Sequence, residues 1–137
     1  MTSAIYPSYI NAGSIRTAAI LTGSYVVAAT WGATGEEQGR NIESSHLVLD
    51  ITFTKGSLTT GDIKVEYSED GATWFIATTA STSAGVMTVS EAVWKLGANT
   101  TCSLAIALIK HPWVRVSAIG AGTATSSSLA LSARFIS

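Results

Sequence analysis

Large apolar residues recur at every second position in several short stretches of the chain. The first clear stretch spans residues 47–54, where a mostly polar set alternates with Leu47, Leu49, Ile51 and Phe53. A period of two places successive side chains on opposite faces of a β-strand. The pattern therefore predicts a strand with one buried face, ending before Lys55-Gly56.

A β-hairpin is predicted immediately downstream. Ile63, Val65 and Tyr67 alternate with polar residues, and Trp74 opens a second apolar stretch after the segment Glu69-Asp70-Gly71-Ala72. Asp and Gly favour tight turns because they tolerate backbone conformations that other residues avoid. We therefore expect strand 62–68 to return as strand 74–77.

Further strands are predicted at 86–89, 102–109, 113–119 and 129–136, with weaker candidates at 15–21 and 25–30. About eight strands separated by frequent turn signals are typical of an antiparallel β-sandwich or jelly roll. Residues 90–96 are predicted to form a short helix or helical turn, because Ser90 is a favoured capping residue. The chain is thus predicted to be all-β, with a single sandwich domain over residues 15–137.

Residues 1–14 differ from the rest of the chain. They carry no charge and no regular period, and their large apolar side chains are Ile5, Tyr6, Tyr9 and Ile10. Such a segment is either an edge strand that completes a sheet or an arm that docks on another protein. If it is an arm, these four residues are the candidate partner-binding site.

Composition and charge limit the classes of binding partner expected for this chain. Charged residues are 12% of the 137-residue chain and the net charge is −1. This balance argues against nucleic-acid and membrane-surface binding, which need a basic patch. The longest apolar run, residues 104–109, is too short to span a bilayer, and residues 1–8 lack the features of a secretory signal, so synthesis in the cytoplasm is expected. A neutral, β-rich surface is typical of proteins that associate with copies of themselves or with a partner.

The residues offer little for catalysis or metal binding. Cys102 is the one cysteine, and its strand-like surroundings predict a buried position. On a strand, His46 and Asp50 lie about 13 Å apart and cannot share a metal ion, and His111 precedes a proline in a predicted turn. Glu36 and Glu37 fall in an expected surface loop, residues 32–45. We expect no metal, no cofactor and no enzymatic activity.

Aromatic residues raise an alternative function. The chain holds four tryptophans, and exposed indole rings on a sandwich can stack on sugars. Trp74 and Trp113 stand at strand starts and are expected to pack in or around the core. A sugar-binding platform would therefore have to use Trp31 or Trp94.

One set of motifs resembles a known group of proteins. The hairpin contains Tyr67-Ser68, Asp70-Gly71 and Thr73-Trp74, and a later strand contains Val114-Arg115-Val116 before the strand at 128–136. Over residues 46–137 this arrangement resembles small β-sandwich structural proteins of tailed bacteriophages. As a single domain, the chain looks most like a capsid decoration, or cement, protein of that group.

The resemblance implies a function without catalysis. Decoration proteins are commonly homotrimers on the outer capsid surface, where they bridge subunits of the major capsid protein and stabilise the shell. We therefore expect a virion location, with the major capsid protein and further copies of the chain as partners. A phage tail or neck component and a carbohydrate-binding sandwich module remain the alternatives. The same hairpin motif is also similar to hairpins in carbohydrate-binding sandwiches and in tail-fibre modules.

Overall fold

The computed structural model describes residues 9–32, 45–109, 112–122 and 126–136. These residues form eleven β-strands: β1 (Tyr9–Ala19), β2 (Val26–Trp31), β3 (His46–Thr54), β4 (Leu58–Ser68), β5 (Phe75–Ile76), β6 (Thr78–Ser83), β7 (Val86–Glu91), β8 (Val93–Leu96), β9 (Thr100–Ala107), β10 (Trp113–Gly122) and β11 (Ser128–Ile136). Within the described ranges no helix is long and apolar enough to cross a membrane.

The strands form two antiparallel sheets that pack face to face. Sheet A has the order β1-β11-β3-β9. Sheet B has the order β2-β10-β4, and both β5 and β8 pair with the far edge of β4. Strands β6 and β7 pair with each other in a separate two-stranded ribbon. The prediction of an all-β antiparallel sandwich is confirmed.

A single hydrophobic core fills the space between the sheets. Its largest fully buried side chains come from both sheets and from the segment after β1: Leu21, Leu47, Leu49, Ile51, Phe53, Leu58, Ile63, Val65, Val114, Leu129, Leu131 and Phe135. Burying one such side chain contributes roughly 1.5–3 kcal/mol. The alternation in 47–54 therefore indicated the core face of β3 correctly.

The sheets approach each other closely near Gly61 on β4. A Cβ atom at this position would lie 2.6 Å from the ring of Phe53 on β3. Only a residue without a side chain allows the ring to sit there without displacement.

Two predictions about local structure are wrong. Residues 90–96 form no helix: β7 ends at Glu91 and β8 begins at Val93. In β8, Trp94 pairs with Ile63 and Leu96 pairs with Gly61, and both side chains pack against the core. Side chains two residues apart share one face in a strand, whereas in a helix they would not. Cys102 is exposed rather than buried. It pairs with the buried Ile51. However, β9 is an edge strand of sheet A, so its side chains have a neighbouring strand on one side and solvent on the other.

Candidate interaction surfaces

Two of the four candidate arm residues, Tyr9 and Ile10, lie at the start of β1. Tyr9 pairs with Ile136 and Ile10 with Phe135, so both contribute main chain to the edge of sheet A. Ile5 and Tyr6 fall outside the described residues, as do most of the expected 32–45 loop and His111. Strand β1 therefore crosses residue 14, the position at which the arm was expected to end.

The outer face of sheet B carries a strip of paired charges. Alternation along β4 points Ile63 and Val65 into the core and leaves Lys64 and Glu66 on the other face. Arg115 Nε on β10 donates to Glu66 Oε1 at 2.9 Å, and Lys64 Nζ lies 3.5 Å from Glu66 Oε2. Because Glu66 is nearly buried and has two cationic partners, its charge is compensated within the sheet.

Two of these cations also cover aromatic rings. Lys64 Nζ lies 4.0 Å from the ring centre of Tyr25, and the Arg115 guanidinium lies 4.3 Å from the ring centre of Trp74. Cation–π contacts of this length are attractive. These contacts hold Tyr25 and Trp74 against the sheet. The charges of Lys64, Glu66 and Arg115 are balanced within the strip.

A second ion pair continues the strip. Lys95 Nζ donates to Asp62 Oδ2 at 2.8 Å, while the buried Asp62 Oδ1 has no hydrogen-bond partner among the described residues. The hydrogen bond and charge of Asp62 raise the pKa of Lys95 above its ordinary value. When only one oxygen of a buried carboxylate is hydrogen-bonded, removal of the neighbouring cation strongly destabilises the fold.

The outer face of sheet A holds one polar cluster. The Ser103 hydroxyl donates to Asp50 Oδ1, and Arg134 donates to Asp50 Oδ2. These two interactions, with Ser103 contributing most, lower the pKa of Asp50. His46 instead contacts the Ser45 hydroxyl through Nδ1 at 2.9 Å, so His46 and Asp50 act separately. No group of three or more potential metal ligands occurs in the described parts of the chain.

The predicted hairpin turn is organised by Asp70. Its Oδ1 accepts hydrogen bonds from the main-chain N–H groups of Ala72 at 2.8 Å and Thr73 at 2.9 Å, and from the Ser68 hydroxyl at 3.0 Å. The main-chain donors are the principal cause of the lowered pKa of Asp70. Gly71 has a φ of 77°, which explains the glycine at this position. The Ser-x-Asp-Gly motif is therefore accounted for by the local fold.

The tryptophans that a sugar platform would need pack inward. The Trp31 ring meets Phe135 edge to face, with ring centres 4.9 Å apart. Trp94 packs against the core from β8. Neither ring stands free on the surface, which disfavours a stacking platform built on them.

Exposed large apolar side chains gather at opposite sides of the sandwich. One side, called the β2 side, contains β1 and β2, the edge strands of the two sheets, which approach each other. Its exposed apolar residues are Ile20, Tyr25, Val26 and Val27, with Val26 52% exposed. This patch was not predicted from the sequence, because a short apolar strand gives no sign of which sheet edge it will occupy.

The other side, called the ribbon side, contains β5, β8, β9 and the β6–β7 ribbon. Its exposed large apolar residues are Phe75, Val86, Met87 and Ile109. Val86 and Met87 follow the turn at Ala84 and Gly85, both with positive φ, and are about two-thirds exposed at 65% and 64%. The ribbon pairs with neither sheet in the described chain, so its apolar tip has little to pack against.

Comparison with known proteins yields a likeness of fold. No family model matches the chain, and no curated protein matches it. Among solved structures, the chain is similar to the SPBc2 prophage-derived protein YomS, with a TM-score of 0.52 and 14% identity, covering 100% of both chains. At this identity the likeness shows a shared fold over the full length.

Proposed function

We propose that this chain is a non-catalytic structural protein of a tailed bacteriophage virion, which binds the outer capsid surface and bridges subunits of the major capsid protein. The observation that carries the proposal is the full-length fold likeness to a prophage-derived protein. The phage-like hairpin and Val-Arg-Val strand add to it, because they form adjacent parts of sheet B. In this role the chain is made in the host cytoplasm and acts as a homotrimer.

The described surface supports a role based on contact area. The charges on sheet B are compensated by neighbouring charges and rings, whereas apolar side chains at the two sides, such as Val26 and Met87, are more than half exposed to solvent. Stabilisation of a shell needs only that each copy binds assembled subunits more tightly than separated ones. Linked contacts from one oligomer raise the occupancy further through high local concentration.

The amino-terminal residues are proposed to supply one of these contacts. Ile5 and Tyr6 precede β1, while Tyr9 and Ile10 form its first main-chain pairs with β11. Deleting residues 1–8 removes the first two side chains and preserves every described pair of β1. If the arm binds the shell, this variant keeps its fold and loses shell binding.

The test is co-sedimentation with phage shells that lack the protein. The full chain is expected to pellet with the shells at a saturable ratio, and the 1–8 deletion to remain in the supernatant. Full-strength binding by the deletion variant would assign the contact elsewhere, whereas no binding by the full chain would contradict the capsid role. Counting copies in intact particles then separates a shell component, spread over the surface, from a tail or neck component confined to one ring.

A further inference from the structure

The four tryptophans divide between the core and one outer face of the sandwich. Trp31 and Trp94 pack against the core. Trp113 precedes the first core-facing residue of β10, so alternation turns its side chain, like that of Arg115, to the outer face of sheet B. Trp74 lies on the same face, because its ring is stacked on the Arg115 guanidinium. The two rings expected in or around the core are therefore the two on the surface.

The ring of Trp113 occupies a position that two glycines leave open. A Cβ atom at Gly32 would overlap the ring, and one at Gly71 would lie 3.0 Å from it. Gly32 follows the end of β2, and Gly71 lies in the turn between β4 and β5. The half-buried ring is thus fixed by main chain from two segments and keeps part of its surface in solvent. A side chain that is already fixed loses little conformational freedom when a ligand binds.

Trp74 is fixed by a different contact. The Arg115 guanidinium lies 4.3 Å from its ring centre, and Arg115 Nε donates to the nearly buried Glu66 at 2.9 Å. The stacked pair is therefore anchored to the sheet, and the Trp74 ring is half-buried. A guanidinium carries four N–H donors besides Nε–H. Because the Arg115 side chain is 27% exposed, a ligand on this face can reach it.

The two rings and the guanidinium form one surface, called the tryptophan platform. Trp113 and Arg115 are two residues apart on one strand, which separates their Cα atoms by about 7 Å. Trp74 adjoins Arg115 through the stacking contact. The platform thus combines two rigid aromatic rings with a hydrogen-bond donor next to them.

We propose that the tryptophan platform binds an oligosaccharide of β-linked pyranose rings. Such rings, when their hydroxyl groups are equatorial, have flat faces lined with C–H groups that pack on indole rings. Their hydroxyl oxygens accept hydrogen bonds from a guanidinium such as that of Arg115. A protein partner fits this surface less well, because carboxylates such as Glu66 are depleted at the centres of protein interfaces. The inference goes beyond the proposed function and does not depend on capsid binding.

The test is isothermal titration calorimetry of the full chain with cellotriose and with tri-N-acetylchitotriose. Sorbitol, which has hydroxyl groups but no ring, is the control ligand. We expect saturable binding of at least one trisaccharide and no binding of sorbitol. Trp74→Ala and Trp113→Ala should each weaken the binding about 10-fold or more, because each removes one stacking ring.

Two further aromatic variants are matched controls. Phe75→Ala removes a ring that is 60% exposed but pairs with the buried Tyr67, away from the platform. Trp94→Phe alters a tryptophan that packs against the core. Both should bind the trisaccharide as tightly as the full chain does. Circular dichroism verifies the fold of each variant, and if Trp113→Ala does not fold, Trp74→Ala decides the question.

Other results would overturn the proposal. If the full chain binds neither trisaccharide, or if Trp74→Ala binds with unchanged affinity, the platform is not a sugar site. If the full chain binds neither sugar and Trp74→Ala also fails to pellet with phage shells, the platform is a protein contact instead. Because the titrations contain no shells, their failure leaves the capsid-binding test separately decidable.

Discussion

The main-chain N–H of Ala92 donates to the carbonyl oxygen of Ala77 at 2.9 Å, closing the base of the β6–β7 ribbon. On either side of this base, Ile76 pairs with Glu66 and Val93 pairs with Lys64. Only Val65 lies between these two partners on β4. The ribbon is therefore an insertion into one edge strand, of which β5 and β8 are the two halves.

Removing residues 78–92 should leave the sandwich folded. In this variant Ala77 lies opposite Val65 and Val93 follows it opposite Lys64, so the edge strand becomes continuous in its present register. We expect cooperative thermal unfolding, measured by circular dichroism, with a melting temperature within several degrees of that of the full chain.

The matched control removes residues 78–91 and retains Ala92. The extra residue shifts β8 by one position, which turns Trp94 and Leu96 from the core to the outer face. A loss of about 2 kcal/mol or more in unfolding free energy is expected from their exposure. Equal stability of the two deletions would show that β5 and β8 are not halves of one strand.

Substitution at Gly61 should disturb the core. The new Cβ of Gly61→Ala would lie 2.6 Å from the Phe53 ring and 3.1 Å from a methyl group of Leu21. Overpacking of this kind typically costs about 1–3 kcal/mol. Gly97→Ala is the control, because nothing lies within 4 Å of its added Cβ. Urea denaturation should show a lower unfolding free energy for the first variant and little change for the second.

Truncation of Phe135 should be among the most destabilising changes. Its side chain is fully buried and its ring meets Trp31, whereas Phe75 is 60% exposed. We expect Phe135→Ala to cost about 3–5 kcal/mol and Phe75→Ala about 0.5 kcal/mol or less. Both should be measured by urea denaturation. Similar losses for the two would contradict the burial described.

The Asp50 carboxyl should titrate below its ordinary range. Its pKa is lowered first by the Ser103 hydroxyl and then by Arg134, so Ser103→Ala should raise it, as measured by NMR titration. The Asp70 carboxyl, whose pKa is lowered by turn hydrogen bonds, is the internal control and should titrate unchanged. An unaltered Asp50 pKa in the Ser103 variant would refute the hydrogen bond.

The sign of the accompanying stability effect follows from the direction of this shift. Since folding lowers the pKa of Asp50, the charged form contributes stability above the unfolded-state pKa of about 4. This contribution is lost as the pH falls through the lower folded-state pKa. Asp50→Asn should therefore differ most from the full chain near neutral pH and converge with it in strong acid.

The two partners of the Asp62–Lys95 pair should not be equivalent. Lys95→Met leaves the buried Asp62 carboxylate without its cation, whereas Asp62→Asn leaves Lys95 in solvent, because that side chain is 64% exposed. Lys95→Met should therefore be the more destabilising substitution in urea denaturation. The reverse order would show that Asp62 has another source of compensation.

The raised pKa of Lys95 gives this pair a pH dependence of opposite sign to that of Asp50. Its contribution to stability is complete below the ordinary lysine pKa and is lost as the pH rises through the raised folded-state value. The full chain should therefore lose stability relative to Lys95→Met only in strongly alkaline solution.

Structural features with a local signal in the sequence were predicted correctly. Alternation identified the core face of β3, and the Asp70-Gly71 turn placed the hairpin, because both depend on residues close in sequence. The prediction of a helix over residues 90–96 was wrong. It relied on the capping preference of Ser90 and overlooked the two-residue period of Val93–Leu96. That period has meaning only when β8 is known to pair with β4.

The exposure of residues at the two sides of the sandwich depends on strand order. Cys102 is exposed because β9 lies at a sheet edge, and Val26 is exposed because β2 does. Neither position differs in residue type from a core strand. The ribbon could not be predicted from the sequence either. Its two flanking half-strands, β5 and β8, form one edge strand only through their pairing with β4, which precedes them in the chain.

The place of β11 in sheet A affects how the protein is made. This strand is the last of the eleven, yet it lies between β1 and β3 and supplies both with hydrogen-bond partners. During synthesis, β1 and β3 emerge from the ribosome long before the strand that joins them, so sheet A can assemble only after β11 has been translated. Folding then depends on contacts between distant parts of the chain, which places it among the slower small domains. The association with further copies proposed above would consequently follow completion of the sandwich.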